Sequence, residues 1–168
     1  MSINIRLEKA SDIESIHTTT IAAFLDAPHT DHTEQFIVDA LRDSGALSVS
    51  LIAEDASKIV GHVALSPVTV SDGSKKWYGL GPISVVPTEQ GKGIGAKLMH
   101  AAITELNNIN ANGCVLLGDP DYYRRFGFEP IDGLVLPDVP PEYFQAVLLQ
   151  GVFPTGIVTY HKSFSAQG

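Results

Sequence analysis

The chain has one cysteine, Cys114, among its 168 residues. That excludes an internal disulfide framework and fits a reducing, cytoplasmic setting. Charge is sparse: 19 acidic residues stand against 11 Lys and Arg, for a formal net charge of −8. No basic patch interrupts that balance, so nucleic acid is not an expected partner. The apolar runs are too short to cross a bilayer, and no basic stretch leads into a signal-like apolar segment, so no membrane partner is expected either. Internal repeats, low-complexity tracts and Pro/Gly-rich linkers are missing, and the whole of 1–168 reads as a single domain with room for a substantial core. Histidines meet an acid in His29-Thr30-Asp31-His32, but in a polar turn this reads as solvated loop, and no metal is expected.

What is present is a regular alternation of element signals. Ile3–Lys9 alternates apolar and polar residues and predicts a strand. Ser11 or Asp12 can cap a helix through Leu25, which Pro28 stops. Asp31, with Glu34 three residues on, has the form of a capping box for a second helix ending at Gly45. Three β-like segments follow, Leu47–Glu54, Ile59–Val70 and Trp77–Val86, joined by short polar turns that suit hairpins. Ile94–Asn108 has helical spacing, and Cys114–Gly118 is a short apolar run expected to form a buried strand parallel to its predecessor. Asp119 and Pro120 then open a brief helix that Gly127 ends, and strand-like pieces follow at Phe144–Leu149 and Gly156–His161.

Chemistry concentrates between Leu80 and Pro130. After Val86–Pro87 comes "TEQGKGIGAKL", a glycine-dense turn opening a helix. Backbone N–H groups at the positive end of a helix dipole make an anion site. Gly91, Gly93 and Gly95 give G-x-G-x-G, which lacks the dinucleotide spacing G-x-G-x-x-G. A P-loop fails as well, because Val86 stands where its first glycine belongs and Gly93 follows the lysine. The pattern that fits is [QR]-x-x-G-x-[GA], filled by Gln90, Gly93 and Gly95, with "ISVVP" before it and "YYRRFGFEP" downstream. This arrangement resembles the GNAT superfamily of N-acetyltransferases, and within it the YhbS-like members. The likeness runs through the whole chain in element order.

The resemblance implies an α/β GNAT fold: a mixed, mostly antiparallel sheet, split at its centre between two parallel strands, with helices on both faces. It implies acetyl-CoA as cosubstrate, with no metal. The acetyl group would move to a primary amine by direct attack in a ternary complex. The acceptor would be a small-molecule amine, a protein N-terminus or a lysine. The pyrophosphate would rest on the N–H groups of Gly91, Lys92, Gly93, Ile94, Gly95 and Ala96, with Gln90 organising the loop. Two readings of Lys92 stand, a cation beside the phosphates or solvated surface.

Gly79, Gly81 and Pro82 inside a strand pattern point to a bulge. By the resemblance that strand splays from its parallel neighbour, and Ile83, Ser84 and Val85 offer main-chain partners to the pantetheine arm. The Val85 N–H would then polarise the thioester carbonyl. Tyr123, four residues before Gly127, occupies the family's tyrosine position and is the candidate general acid, while Tyr122 reads as packing or as a wall on the acceptor side. The chain departs from the common pattern at Leu116, where many members carry Asn, and no general base is assigned. His29 and His32 are candidates to line the acceptor site. Asp119 is a candidate to hold an ammonium, with an N-cap as its other reading. A non-catalytic acyl-CoA-binding or sensor domain would keep the glycine turn without needing Tyr123, and a structural module whose turn binds nothing would need neither. Monomer and homodimer are both open.

Overall fold

The computed structural model describes residues 2–28 and 30–168. β1 (Ile3–Leu7) leads through a single 3-10 turn into α1 (Ile13–Phe24), and α2 (Glu34–Asp43) follows. Neither helix is capped as the sequence suggests. The Asp12 carboxylate instead accepts from Arg6 Nη1 at 2.8 Å, Arg6 Nη2 at 3.1 Å and the Lys9 N–H at 2.7 Å. Glu34 at the start of α2 engages Thr30 rather than Asp31: Thr30 Oγ1 donates to its Oε2 at 2.7 Å.

The chain then builds β2 (Val49–Asp55), β3 (Lys58–Pro67), the two-residue β4 (Thr69–Val70) and β5 (Trp77–Val85). The β2–β3 turn places Ala56 and Ser57 at φ 50° and 70°, the doubly positive geometry that matches the twist of a tight hairpin. The expected single segment Ile59–Val70 is broken at Pro67. Val68 still donates to the Trp77 carbonyl at 3.0 Å, but Thr69 and Val70 leave the sheet to pair with β9 (Gly156–Thr159). After α3 (Ile94–Asn108) come β6 (Gly113–Leu117), the short α4 (Pro120–Tyr123), β7 (Leu134–Val135) and β8 (Phe144–Leu148).

The main sheet has the order β1-β2-β3-β5-β6-β8, and β4-β9-β7 form a second, small one. All pairs of the main sheet are antiparallel except β5 with β6. β2 shows why helices cover both faces. Its residues Val49, Leu51 and Ala53 share a buried cluster with Leu98 and Met99 of α3. Ile52, facing the other way, packs with Ile16 of α1 and Val38 of α2. Leu98 and Met99 are fully buried, and truncating such a side chain to Ala typically costs about 2–5 kcal/mol.

His62 of β3 is also fully buried, on the face opposite α3. The single Ser50 hydroxyl proton goes to Glu8, which Arg42 Nη2 also grips at 2.8 Å. Ser50 Oγ is therefore an acceptor for His62 Nε2 at 2.8 Å, which fixes the Nε2–H tautomer. Burial holds the imidazole neutral and pushes its pKa down to about 4, the opposing pull of Glu8 being smaller.

Candidate active site

Gly91 (φ 79°) and Gly93 (φ 83°) both occupy left-handed backbone, which a side chain strains. The third glycine has a different reason. Gly95 is helical, and a methyl group there would meet the Tyr122 hydroxyl at 3.2 Å. Gly93 is the N-cap of α3 and supplies no side-chain cap, and the first intrahelical bond runs from Lys97 N to Gly93 O at 3.1 Å. The N–H groups of Gly93, Ile94, Gly95 and Ala96 therefore lack intrahelical acceptors, and no acid sits in the first turn. All four residues line a cavity of about 520 Å³, together with Ile83, Val85, Glu89, Gln90, Gly91, Tyr122, Tyr123 and Arg125.

One wall of that cavity is the split in the sheet. β5 and β6 pair only at Trp77–Gly113, Tyr78–Cys114 and Gly79–Val115. Beyond Gly79 the register of β5 against β3 slips by one residue at Gly81–Pro82, so the strand bulges away. Val86 donates to the Val60 carbonyl at 2.9 Å. By the alternation of an antiparallel ladder, Ser84 then bonds to His62, while the N–H and C=O groups of Ile83 and Val85 face the opening. Gln90 Nε2 donates to the Val85 carbonyl at 3.0 Å, which ties the glycine loop to the strand and leaves the Val85 N–H as the free polar group. Ser84 is thus sheet-bonded and buried, unlike its two neighbours.

Tyr123 stands where the two sides of the split meet. A methyl group at Gly118 would lie 2.4 Å from its ring, so the end of β6 must be glycine for the ring to rest there. Gly118 is pinned from both sides, its N–H donating to Tyr143 O at 2.9 Å and its carbonyl accepting from the buried Gln145 Nε2 at 3.0 Å. Burial raises the Tyr123 phenol to about 12, with smaller contributions from Tyr122 and Asp119.

Tyr122 lines the first cavity. It faces the glycine turn, edge-on to Tyr123 at 4.9 Å between ring centroids, with the Arg125 guanidinium 4.8 Å above its ring. Lys92 is absent from the cavity lining and pairs at 2.8 Å with Glu89, which lines the cavity, as does Arg125. The sequence pair Arg124-Arg125 gives no hint which one matters. Helical phase decides it, sending Arg124 to Asp121 and Arg125 over Tyr122.

A second cavity, about 560 Å³, adjoins the first and shares Ile83 and Tyr123 with it. Its other walls include Phe24, Glu34, Ile37, Leu116, Tyr160 and Phe164. His32 is exposed and lines neither cavity. His29 lies outside the described residues. Asp119 is exposed and caps α4, accepting from the Asp121 N–H at 2.9 Å. Leu116, at the position where the resemblance expects Asn, is buried in the core and lines the second cavity. Cys114 is fully buried, and burial pushes its thiol up. Among the described residues, no group of three or more His, Cys, Asp or Glu is placed to hold a metal ion, and no helix is long and apolar enough to cross a membrane.

A split β5–β6 pair, a bulge before it and an uncapped helix N-terminus beyond it define an acetyltransferase fold of the GNAT type. Residues 4–131 match the family model described as an acetyltransferase (GNAT) domain, and the chain belongs to that family. It is 36% identical over 110 residues to the uncharacterized N-acetyltransferase YhbS of Escherichia coli K12, a match spanning 65% of this chain and 66% of that relative, just under two thirds of its length. A GNAT family acetyltransferase from Brucella melitensis, solved in complex with acetyl-CoA, superposes with a TM-score of 0.87 at 43% identity over 98% of this chain and 99% of that one. The Escherichia coli YhbS structure in complex with CoA gives a TM-score of 0.87 at 32% identity, covering 99% of this chain and 93% of that one.

Proposed function

We propose that the protein transfers the acetyl group of acetyl-CoA to a primary amine by direct attack in a ternary complex. The observation that carries this reading is the meeting of two cavities at Ile83 and Tyr123. One has an anion-accepting helix N-terminus; the other is apolar and large enough for a small acceptor. The solved relatives in complex with acetyl-CoA and CoA support acetyl-CoA as the cosubstrate.

In this reading the N–H groups of Gly91 through Ala96 receive the pyrophosphate, with Arg125 rather than Lys92 supplying the nearby positive charge. The pantetheine arm takes up the main-chain groups that Ile83 and Val85 turn toward the split. The Val85 N–H polarises the thioester carbonyl, its own carbonyl being occupied by Gln90. The neutral amine attacks that carbon, the C–S bond breaks and Tyr123 delivers a proton to the departing sulfur, while the proton shed by the acetylated nitrogen leaves through water and restores the phenol. A phenol near 12 is fully protonated at neutral pH. Full proton transfer to a thiolate of ordinary pKa ~8.5 is uphill by roughly 5 kcal/mol, so the proton moves late. The first contribution of the hydroxyl is a hydrogen bond to sulfur as charge develops there.

The reading takes 1–168 as one acetyltransferase domain working in the cytoplasm. Calorimetric titration with acetyl-CoA, followed by thiol-release assays across an amine panel, tests it. Tight binding with no turnover on any amine would instead fit an acyl-CoA-binding or sensor domain.

A further inference from the structure

Among the described residues, the second cavity has a single acidic side chain in its lining and no lysine or arginine. That acid is Glu34, in the first turn of α2. Its Oε2 accepts from Thr30 Oγ1 at 2.7 Å, whereas Oε1 is buried and has no hydrogen-bond partner among the described residues. The Tyr160 hydroxyl, in the same lining, is buried and unpartnered too. The rest of the wall is almost wholly apolar, including Phe24, Ile37, Leu80, Pro82, Leu136 and Phe164.

A carboxylate oxygen kept from water without a donor is destabilising. The positive end of α2 offsets part of that, but it gives Oε1 no hydrogen bond. A ligand that brings both a donor and a positive charge would supply what is missing. Because the lining offers one negative charge only, a second cation in this cavity would be left uncompensated.

We propose that Glu34 is the residue that recognises the acetyl acceptor, and that the acceptor is a primary amine carrying one positive charge on a largely apolar body. The proposal rests on the amine-acetyltransferase reading for the meaning of the site, but not for its occupancy. The apolar walls take the body of the acceptor, and the Glu34 carboxylate takes its ammonium, which gives up a proton to water before the nitrogen attacks. Diamines, polyamines and lysine-bearing basic peptides are disfavoured by the same walls.

The test measures binding of 2-phenylethylamine, its uncharged analogue 2-phenylethanol and the diamine putrescine to the CoA-loaded full chain by calorimetry. Turnover is recorded alongside with acetyl-CoA. The wild type should bind 2-phenylethylamine at least tenfold more tightly than either of the others. In Glu34→Gln, which keeps the acceptor oxygen for Thr30, that preference over the alcohol should collapse to within about twofold. CoA affinity and melting temperature should not change. Equal affinities in the wild type, a preference for putrescine, or an intact preference in Glu34→Gln would each overturn the proposal. Charge-selective binding without turnover on any amine would overturn the acetyl-transfer reading and leave the Glu34 site standing.

Discussion

The ring of Tyr123 rests directly on Gly118, so closely that a methyl group on Gly118 would come within 2.4 Å of ring carbon Cε2. The candidate acid is therefore positioned by a residue with no chemistry of its own. Tyr123→Phe should keep CoA affinity and lower kcat by roughly 10²–10⁴ if protonation of the leaving sulfur limits the rate. Gly118→Ala keeps the hydroxyl but displaces it, and should lower kcat by about tenfold or more with CoA affinity within a few-fold of wild type. Steady-state kinetics on both variants decide this. Wild-type kcat in Tyr123→Phe would remove the acid role, and wild-type kcat in Gly118→Ala would show that the ring tolerates the shift.

The glycine turn can be tested by charge. Gly93→Asp puts a carboxylate and a strained φ at the mouth of the anion cavity. Affinity for CoA should fall by well over tenfold, on the order of 1.4 kcal/mol or more, while circular dichroism remains that of the wild type. A folded Gly93→Asp protein with full CoA affinity would eliminate the turn as the pyrophosphate site.

Two cations are candidates for the phosphate role, and they sit differently. Arg125 lines the cavity, while Lys92 is committed to Glu89. Arg125→Ala should weaken CoA binding by about five- to tenfold and flatten its dependence on salt, whereas Lys92→Ala should change it by less than about twofold. The reverse order in calorimetric titrations at two ionic strengths would restore Lys92.

His62 gives the fold an acid-sensitive point in β3, opposite Ser84 of β5. Its folded pKa of about 4 lies below the ordinary value of 6.5. Between those values the unfolded chain binds the extra proton, so stability is complete above about 6.5 and is lost as pH falls through about 4. The shift corresponds to roughly 3 kcal/mol. Glu8 is pushed up by burial but held below the usual carboxylate value by Arg42 and Ser50, so its own contribution fades at lower pH. Denaturant melts of wild type and His62→Gln at pH 7, 5.5 and 4.5 should show a steeper decline in the wild type. Parallel declines would mean that His62 does not carry the effect.

Much of this architecture is legible in the residues. The boundaries of α3 coincide with the apolar spacing of Ile94–Asn108, and Gly79, Gly81 and Pro82 mark a strand that bulges before it splits. Both are local signals, written in short-range periodicity and in backbone-restricting residues. What escapes is set by contacts distant in sequence. The departure of Thr69–Val70 into a second sheet depends on β9, nearly ninety residues away. The cavity role of Glu34 is hidden because its sequence context reads as a capping box. The hydroxyl that engages it belongs to Thr30, and its other oxygen turns inward. Arg125 and Gly118 look like any surface arginine and any strand-ending glycine until the ring beside each is in view.

The opening between β5 and β6 also bears on what the protein avoids. Unsatisfied strand edges invite foreign β-segments, and here such edges lie inside a sheet rather than at its margin. A foreign strand entering the gap would meet the bulge at Gly81–Pro82, where proline offers no donor, at the end where β5 and β6 part. At the other end it would meet the Gly93–Ala96 turn, and across the gap β6 stops at Leu117 before Pro120 begins a helix. The features that admit a slender cosubstrate thus also keep out another polypeptide, so the molecule can carry an open sheet without becoming a template for aggregation.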